Sequence, residues 1–144
     1  MSRRARYAAI IPASLPPSPM PTEVASARVL LVDDNVDAVE SMQILLQAYG
    51  YEVVTAVHPD IALEELERFA PTVAVVDIGL PGMDGYALAS EIRRRCAAAG
   101  RQTPRLIALT GYGGADDAAR AAEAGFATHL VKPVEIDKLL ALLG

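Results

Sequence analysis

The chain has 144 residues, of which 52% are apolar and 22% are charged, and its formal net charge is −5. At about 100–200 residues per domain this length holds one domain. It is too short for a protein that combines a nucleotide-binding domain, or a full DNA-binding domain, with a second domain. An acidic chain repels nucleic-acid phosphate, and no apolar run approaches the ~18–20 residues that span a bilayer, so neither nucleic acid nor membrane is an expected partner. The single cysteine, Cys96, excludes an internal disulfide and predicts a reducing, cytoplasmic location.

Residues 1–27 differ in composition from the rest of the chain. They contain five of the ten prolines, three arginines and one acidic residue, Glu23, whereas residues 28–144 carry 10 basic and 17 acidic residues. The arginines and the apolar stretch 8–11 resemble the start of a signal peptide, but Pro12 ends that stretch well short of the required ~7–15 residues. We predict a disordered Pro-rich leader over 1–27, rather than a basic arm for anionic surfaces, and one domain over 28–144.

From residue 28 onward, five short apolar runs alternate with five amphipathic stretches. The runs at 29–32, 53–56, 73–76, 106–109 and 129–131 are continuously apolar, which is typical of parallel strands buried on both faces. The amphipathic stretches predict one helix from a cap at Asp34 or Asn35 to Ala48, and others over 59–69, 86–99, 115–124 and 135–143. The predicted core-facing helix positions are Ala87, Leu88, Ile92, Ala119, Ala122, Leu139, Leu140 and Leu143.

Polar residues follow four of the five predicted strands. Asp33 and Asp34 follow the first run, Asp77 follows the third, Thr110 the fourth and Lys132 the fifth. In an open parallel sheet, ligands bind beyond the carboxyl ends of the strands. We therefore expect three carboxylates, a hydroxyl and an ammonium to converge on one edge of the sheet.

This set of groups has a definite chemistry. Three clustered carboxylates repel one another, and a hard divalent cation such as Mg²⁺ relieves the repulsion. Lys132 and Thr110 suit an incoming phosphoryl group, which a carboxylate can accept as an acyl phosphate. Taken singly, Asp34 fits a helix cap and Asp77 fits a turn residue. Thr110 fits an ordinary strand residue, and Lys132 fits a surface charge. All five together at strand ends favour the functional interpretation.

Four segments carry a resemblance to a known family. Residues 29–35 (VLLVDDN), 75–86 (VVDIGLPGMDGY), 108–111 (ALTG) and 130–133 (LVKP) resemble, in order and spacing, the motifs of response-regulator receiver domains. The resemblance covers about residues 28–143. It implies an α/β, flavodoxin-like (βα)5 doubly wound sandwich, whose five-stranded parallel sheet has the order 2-1-3-4-5.

The resemblance also implies a role for each matching residue. Asp77 is the implied phosphoacceptor, and its donor is a phosphohistidine on a histidine kinase or a histidine phosphotransfer protein. The implied Mg²⁺ ligands are Asp33, Asp34, Asp77 and the backbone carbonyl of Gly79. Lys132 pairs with the phosphoryl oxygens and forms a cis peptide with Pro133. Thr110 is the switch hydroxyl that draws in the loop 111–114.

Some positions leave the function of a side chain open. His129 stands where the family often has a Tyr or Phe that rotates inward on activation, so the resemblance implies a second switch position there, which a histidine could make pH-sensitive. We prefer the interpretation of His129 as a half-exposed strand residue that signals weakly or differently. Gly79 and Tyr112 lie two residues after Asp77 and Thr110, where family side chains influence the lifetime of the phosphoryl group. No direction follows from the residue types.

The leading hypothesis is a phosphorylatable receiver in a two-component phosphorelay that turns over no separate substrate. Because the chain stops after the fifth helix, we expect output through contacts with a downstream protein, as a monomer or a weak phosphorylation-dependent dimer. It fits a free-standing regulator or a receiver of a hybrid kinase. The alternative is a phosphorylation-independent interaction module on the same fold. A phosphohydrolase is disfavoured because Gly79 stands where such enzymes carry a second aspartate.

Overall fold

The fold is that of a computed structural model, which describes residues 27–79, 84–111 and 115–143. The leader predicted over 1–27 lies outside the described residues, apart from Ala27. In chain order the elements are β1 (Arg28–Val32), α1 (Val36–Ala48), β2 (Glu52–Ala56), α2 (Pro59–Phe69), β3 (Val73–Asp77), α3 (Gly85–Ala98), β4 (Arg105–Thr110), α4 (Ala115–Ala124), β5 (Thr128–Val131) and α5 (Ile136–Leu143). The predicted element bounds agree with these to within one residue. No helix of the described ranges is long and apolar enough to cross a membrane.

The five strands form one parallel sheet in the order β2-β1-β3-β4-β5, as the resemblance implies. The register places Val32 beside Val76 and Asp77 beside Leu109, so the carboxyl ends of β1, β3 and β4 lie next to one another. The prediction that all five strands are buried on both faces is wrong for β2 and β5, which contain half-buried and exposed residues. These two are the edge strands, and an edge strand has a neighbour on one side only.

The sheet is covered on both faces. Alternate residues of the strands point to opposite sides, as the pleat requires. One side packs against α2, α3 and α4, where Leu88 and Ile92 are fully buried. The other side packs against α1 and α5 through residues such as Leu46 and Leu139. The three-layer arrangement leaves the strand ends as the place where polar groups collect.

Three of the predicted core positions on the helices are wrong. Ala87, Ala119 and Ala122 are exposed, and Ala89, Ala121 and Ala124 are buried in their place. A methyl group gains little from burial, so alanine does not mark the buried face of a helix, whereas larger side chains do. The leucine and isoleucine predictions hold: Leu88, Ile92, Leu139 and Leu143 are buried, and Leu140 is half-buried.

Arginine side chains cap the carboxyl ends of three helices. Arg28 donates from Nη2 to the carbonyl of Phe69 at the end of α2, and Arg105 donates from Nη2 to the carbonyl of Leu142 in α5. Arg93 Nη1 lies 3.2 Å from the carbonyl oxygen of Ala124 at the end of α4. A cation there satisfies a free carbonyl and neutralises the negative end of the helix dipole.

Candidate functional site

The site lies at the carboxyl edge of the sheet. Asp33 directly follows β1. Asp77 is the last residue of β3, because this strand ends one residue later than the predicted run 73–76. Val32 pairs with Val76, so the residues that follow them, Asp33 and Asp77, lie side by side. One carboxylate oxygen from each of Asp33, Asp34 and Asp77 lies within 4.8 Å of the others. The sequence prediction that these acids converge is confirmed.

Lys132 enters this acidic cluster from the end of β5. Its Nζ lies 3.0 Å from Asp77 Oδ2 and 3.1 Å from Asp33 Oδ2. Burial lowers the pKa of the Lys132 ammonium, but hydrogen bonds to Asp77 and Asp33 outweigh that effect, so its pKa lies above the ordinary value of 10.5. The interpretation of Lys132 as a solvated surface charge is therefore wrong.

The remaining oxygens of the two buried acids hold the loops that follow their strands. Asp33 Oδ1 accepts a hydrogen bond from the backbone N–H of Asn35 at 3.1 Å, and Asp77 Oδ1 accepts one from Gly79 at 3.0 Å. Asp77 thus orders a turn in addition to facing Lys132. The helix cap of α1 is Asn35, whose Oδ1 accepts from the N–H of Ala38 at 3.0 Å. Asp34 is exposed and does not cap the helix, so its capping interpretation is wrong.

Thr110 is the last residue of β4 and is buried. Its carbonyl accepts a hydrogen bond of 2.8 Å from the backbone N–H of Lys132, which ties the ends of β4 and β5 together. The peptide bond from Lys132 to Pro133 is cis. Among the residues that follow β4, Gly111 is exposed, whereas Tyr112 and the rest of the predicted switch loop lie outside the described residues.

His129 lies in the edge strand β5, opposite Ala108 of β4 in the register. It is half-buried, which agrees with the preferred interpretation of its placement. It borders a cavity of about 210 Å³ beside Glu135 and Lys138. A role for His129 in switching stays a prediction, as does the metal-ligand role of the Gly79 carbonyl.

Gly85 is a residue that the sequence analysis missed. It begins α3, and a Cβ added there would lie 2.4 Å from Ile78 Cα and 2.5 Å from the carbonyl oxygen of Asp77. The start of α3 therefore packs directly against the main chain of Asp77. A glycine costs about 1 kcal/mol relative to alanine inside a helix, so its presence at a helix start is the signal that could have indicated this approach.

The acidic cluster fits a divalent cation. Three carboxylates and one ammonium carry a formal charge of −2, and the oxygen donors are those that Mg²⁺ prefers. Asp34 is exposed, so the cluster is open to solvent on that side. An open site suits an ion that keeps part of its hydration shell.

A parallel sheet of this order is that of a flavodoxin-like fold. The acidic cluster and the lysine at its carboxyl edge form a site that suits a metal ion and a phosphoryl group. The family model "Response regulator receiver domain" matches residues 29–144, and the chain belongs to this family. It is a receiver domain of two-component phosphorelay signalling. Receiver domains generally bind Mg²⁺ at such an acidic pocket and interact with histidine kinases or phosphotransfer proteins.

Similar proteins include both long and short chains. Response regulator protein FleR of Pseudomonas aeruginosa is 37% identical over 118 residues, which cover 82% of this chain and 24% of FleR. Transcriptional regulatory protein PrrA of Mycobacterium tuberculosis is 35% identical, over 85% of this chain and 50% of PrrA. A 14.6 kDa protein of Leptolyngbya boryana is 34% identical, over 83% of this chain and 89% of that protein. The chain thus spans half or less of the length of FleR and PrrA.

Solved structures show the same fold. The CheY-like receiver domain protein of Methanospirillum hungatei is 28% identical, with a TM-score of 0.72 over 81% of this chain and 90% of that one. Chemotaxis protein CheY4 of Vibrio cholerae is 27% identical, with a TM-score of 0.75 over 82% of this chain and 96% of that one.

Proposed function

We propose that Asp77 accepts a phosphoryl group from a phosphohistidine in an Mg²⁺-dependent reaction, and that this switches a protein-interaction surface. The observation that carries the proposal is the placement of the Lys132 ammonium 3.0 Å from Asp77 within a cluster of three carboxylates. The strand order supports Asp77 as the acceptor. It lies on β3, between Asp33 on the β1 side and Thr110 and Lys132 on the β4 and β5 side.

The proposed transfer is a direct displacement at phosphorus. A carboxylate oxygen of Asp77 forms the new O–P bond, and the P–N bond of the phosphohistidine breaks. The imidazole leaves with the electron pair of that bond and takes up a proton from solvent. The product is an acyl phosphate on the chain itself, so no separate substrate is turned over.

The side chains around Asp77 serve charge neutralisation and positioning, on which phosphoryl transfer mainly depends. Lys132 already lies between Asp77 and Asp33 and pairs with a phosphoryl oxygen in the product. Asp33, Asp34, Asp77 and the Gly79 carbonyl would hold the magnesium ion, which supplies the countercharge for the phosphoryl group. Thr110, buried one residue beyond the level of Asp77, would provide the hydroxyl that senses the product.

Intact-mass measurements with acetyl phosphate and Mg²⁺ test this function. We expect a single phosphoryl adduct that is absent in Asp77→Asn and suppressed by a chelator. Asp37→Asn is the matched control, because Asp37 is an exposed acid in the first turn of α1, and it should form the adduct as the wild type does.

Three outcomes would contradict the proposal. An adduct that persists in Asp77→Asn would place the acceptor elsewhere. Failure of the wild type to form an adduct with acetyl phosphate or any histidine kinase would leave a phosphorylation-independent interaction module. Sustained release of phosphate from unrelated esters would instead identify a hydrolase.

A further inference from the structure

The carboxyl end of α1 exposes a group of apolar side chains. Ile44 is 67% exposed, Leu45 is 42% exposed, and Tyr49, the residue that caps the helix, is 59% exposed. Residues three or four positions apart are neighbours on a helix surface, so these side chains are continuous with one another and with the exposed Ala48. We call these four residues the α1 patch. A contiguous exposed apolar patch is typical of a surface that contacts another segment or chain.

The other end of the same helix face is acidic. Asp37 and Glu40 are exposed, and neither carboxylate forms an ion pair with another described residue. Glu40 lies one turn before Ile44, and α1 contains no lysine or arginine. The exposed face of α1 therefore changes from acidic, at the carboxyl edge of the sheet, to apolar, at the amino edge. A segment that covers it must combine basic and apolar residues.

Residues 3–11 of the leader carry the complementary pattern. They read RRARYAAII, in which three arginines precede an apolar stretch and no acidic residue occurs. Followed outward from the domain, the leader presents the apolar stretch first and the arginines second. The α1 face, followed from its carboxyl end, presents its apolar patch first and its acids second. Residues 28–144 carry 17 acidic and 10 basic residues, so the domain as a whole also attracts a basic segment.

The leader joins the domain close to the α1 patch. Arg28, where β1 begins, pairs in the register with Glu52, which is three residues after Tyr49. Paired residues on adjacent strands are about 5 Å apart, and each further residue adds at most about 3.8 Å, so Arg28 Cα lies within about 17 Å of Tyr49 Cα.

The length of the leader is sufficient for this contact. Residues 12–26, which contain five prolines, span about 45 Å when fully extended, which exceeds the distance to the α1 patch. Residues 3–11 reach up to about 30 Å, whereas the 13 residues of α1 are about 20 Å long. The arginines can therefore lie at the acidic end of α1 while the apolar stretch lies at the α1 patch.

We propose that residues 3–11 dock on the exposed face of α1, with the apolar stretch 7–11 on the α1 patch and the arginines beside Asp37 and Glu40. Residues 12–26 are the tether, and the disorder that composition predicts for the leader applies to them. A tethered segment has an effective concentration in the millimolar range, so a contact that is weak between separate molecules is populated within one chain. The docked leader competes with any other molecule for the α1 patch. This contact needs neither Asp77 nor Mg²⁺, so its failure leaves the proposed function unaffected, and the reverse also holds.

Paramagnetic relaxation enhancement in the full chain tests the proposal. A nitroxide is attached at Ser2→Cys, and wild-type protein treated with the same reagent shows whether the buried native thiol of Cys96 stays unlabelled. The readout is the ratio of the enhancement at the amides of α1 to that at the amides of α3, which packs on the opposite side of the sheet. A docked leader should give a much stronger effect on α1, whereas a solvated leader spreads its effect over both sides.

The apolar contact is tested with a matched pair of isoleucines. Ile44→Gln should lower the ratio of docked to free leader by about fivefold to tenfold, because it removes most of the buried area that one isoleucine provides. Ile61→Gln is the control, because Ile61 is also exposed but lies on α2, on the other side of the sheet. Both positions are exposed, so both variants keep the fold.

The charge contact is tested separately. Replacing Arg3, Arg4 and Arg6 together with glutamine should lower the docked-to-free ratio by about threefold to tenfold and remove most of its dependence on salt. Glu40→Gln should lower it by up to about fivefold, and Glu64→Gln, which changes an exposed acid on α2, should leave it unchanged.

Each of three results would overturn the proposal. Equal enhancement at α1 and α3 would mean that the leader is solvated. Enhancement of α1 in isotope-labelled chains mixed with separate nitroxide-labelled chains, lost on dilution, would assign the α1 patch to a second copy of the chain. Equal effects of Ile44→Gln and Ile61→Gln would show that the apolar contact is not specific to α1.

Discussion

Replacing Gly85 with alanine tests whether the start of α3 positions Asp77, the proposed phosphoacceptor. The new Cβ would lie 2.4 Å from Ile78 Cα, whereas ordinary contact begins near 3.4 Å, so the two backbones must separate by about 1 Å. A misplacement of about 1 Å at a reacting group costs on the order of 100-fold in rate. Overpacking of this kind costs about 1–3 kcal/mol, which is less than the ~5–15 kcal/mol of a typical domain, so the variant stays folded.

The assay is the rate of adduct formation with acetyl phosphate and Mg²⁺, alongside urea unfolding. Gly125→Ala is the control matched for stability, because it lies between α4 and β5 at the opposite edge of the sheet. At φ 104° an alanine is strained, and its Cβ would meet Arg93 Cδ at 2.4 Å. It should lose about 2–3 kcal/mol of stability and keep the wild-type rate. A wild-type rate in Gly85→Ala would refute the positioning role.

Three further predictions concern stability. Gly100→Ala should lower the free energy of unfolding by only about 1–2 kcal/mol, which is less than the loss in Gly125→Ala. The φ of Gly100 is also positive (70°), but nothing lies within 4 Å of the new Cβ. Equal losses of the two variants in urea unfolding would contradict the packing argument. Hydrogen bonds from Arg94 and Arg95 lower the pKa of Glu91 to about 2. The contribution of the Glu91 carboxylate to folding stability is therefore present above the ordinary pKa of 4.5 and is lost as pH falls through about 2. The stability difference between wild type and Glu91→Gln should therefore shrink over that window, and a difference that stays constant there would refute the assignment. Mg²⁺ at ten times its Kd should stabilise the wild type by about 1.4 kcal/mol, and equal stabilisation of Asp34→Asn would exclude Asp34 as a ligand.

The local pattern of the sequence determined the elements and their order. Continuous apolar runs and amphipathic stretches reproduced every strand and helix bound to within one residue, because periodicity and capping residues act over a few positions. The alternation of the two element types predicted a parallel sheet. The meeting of Asp33 and Asp77 then followed, since parallel strands bring their carboxyl ends to one edge, whereas the register itself was seen only in the structure.

Burial at small side chains was decided only by tertiary packing. Ala89 is buried and Ala87 is exposed, and the sequence offers no difference between them. Likewise, β2 and β5 read as fully buried strands, yet their edge positions leave them half-covered. Whether a strand has one neighbour or two depends on the order of the whole sheet, which no local run of residues contains.

The contacts of the site also needed the tertiary structure. The sequence placed Lys132 after a strand, but only the assembled sheet shows its Nζ between Asp33 and Asp77. The sequence shows a glycine at the start of α3, but only the assembled fold shows how closely Gly85 approaches the main chain of Asp77. Residue types and spacing determine which groups reach an edge of the sheet, whereas the distances between them depend on elements that are far apart in the chain.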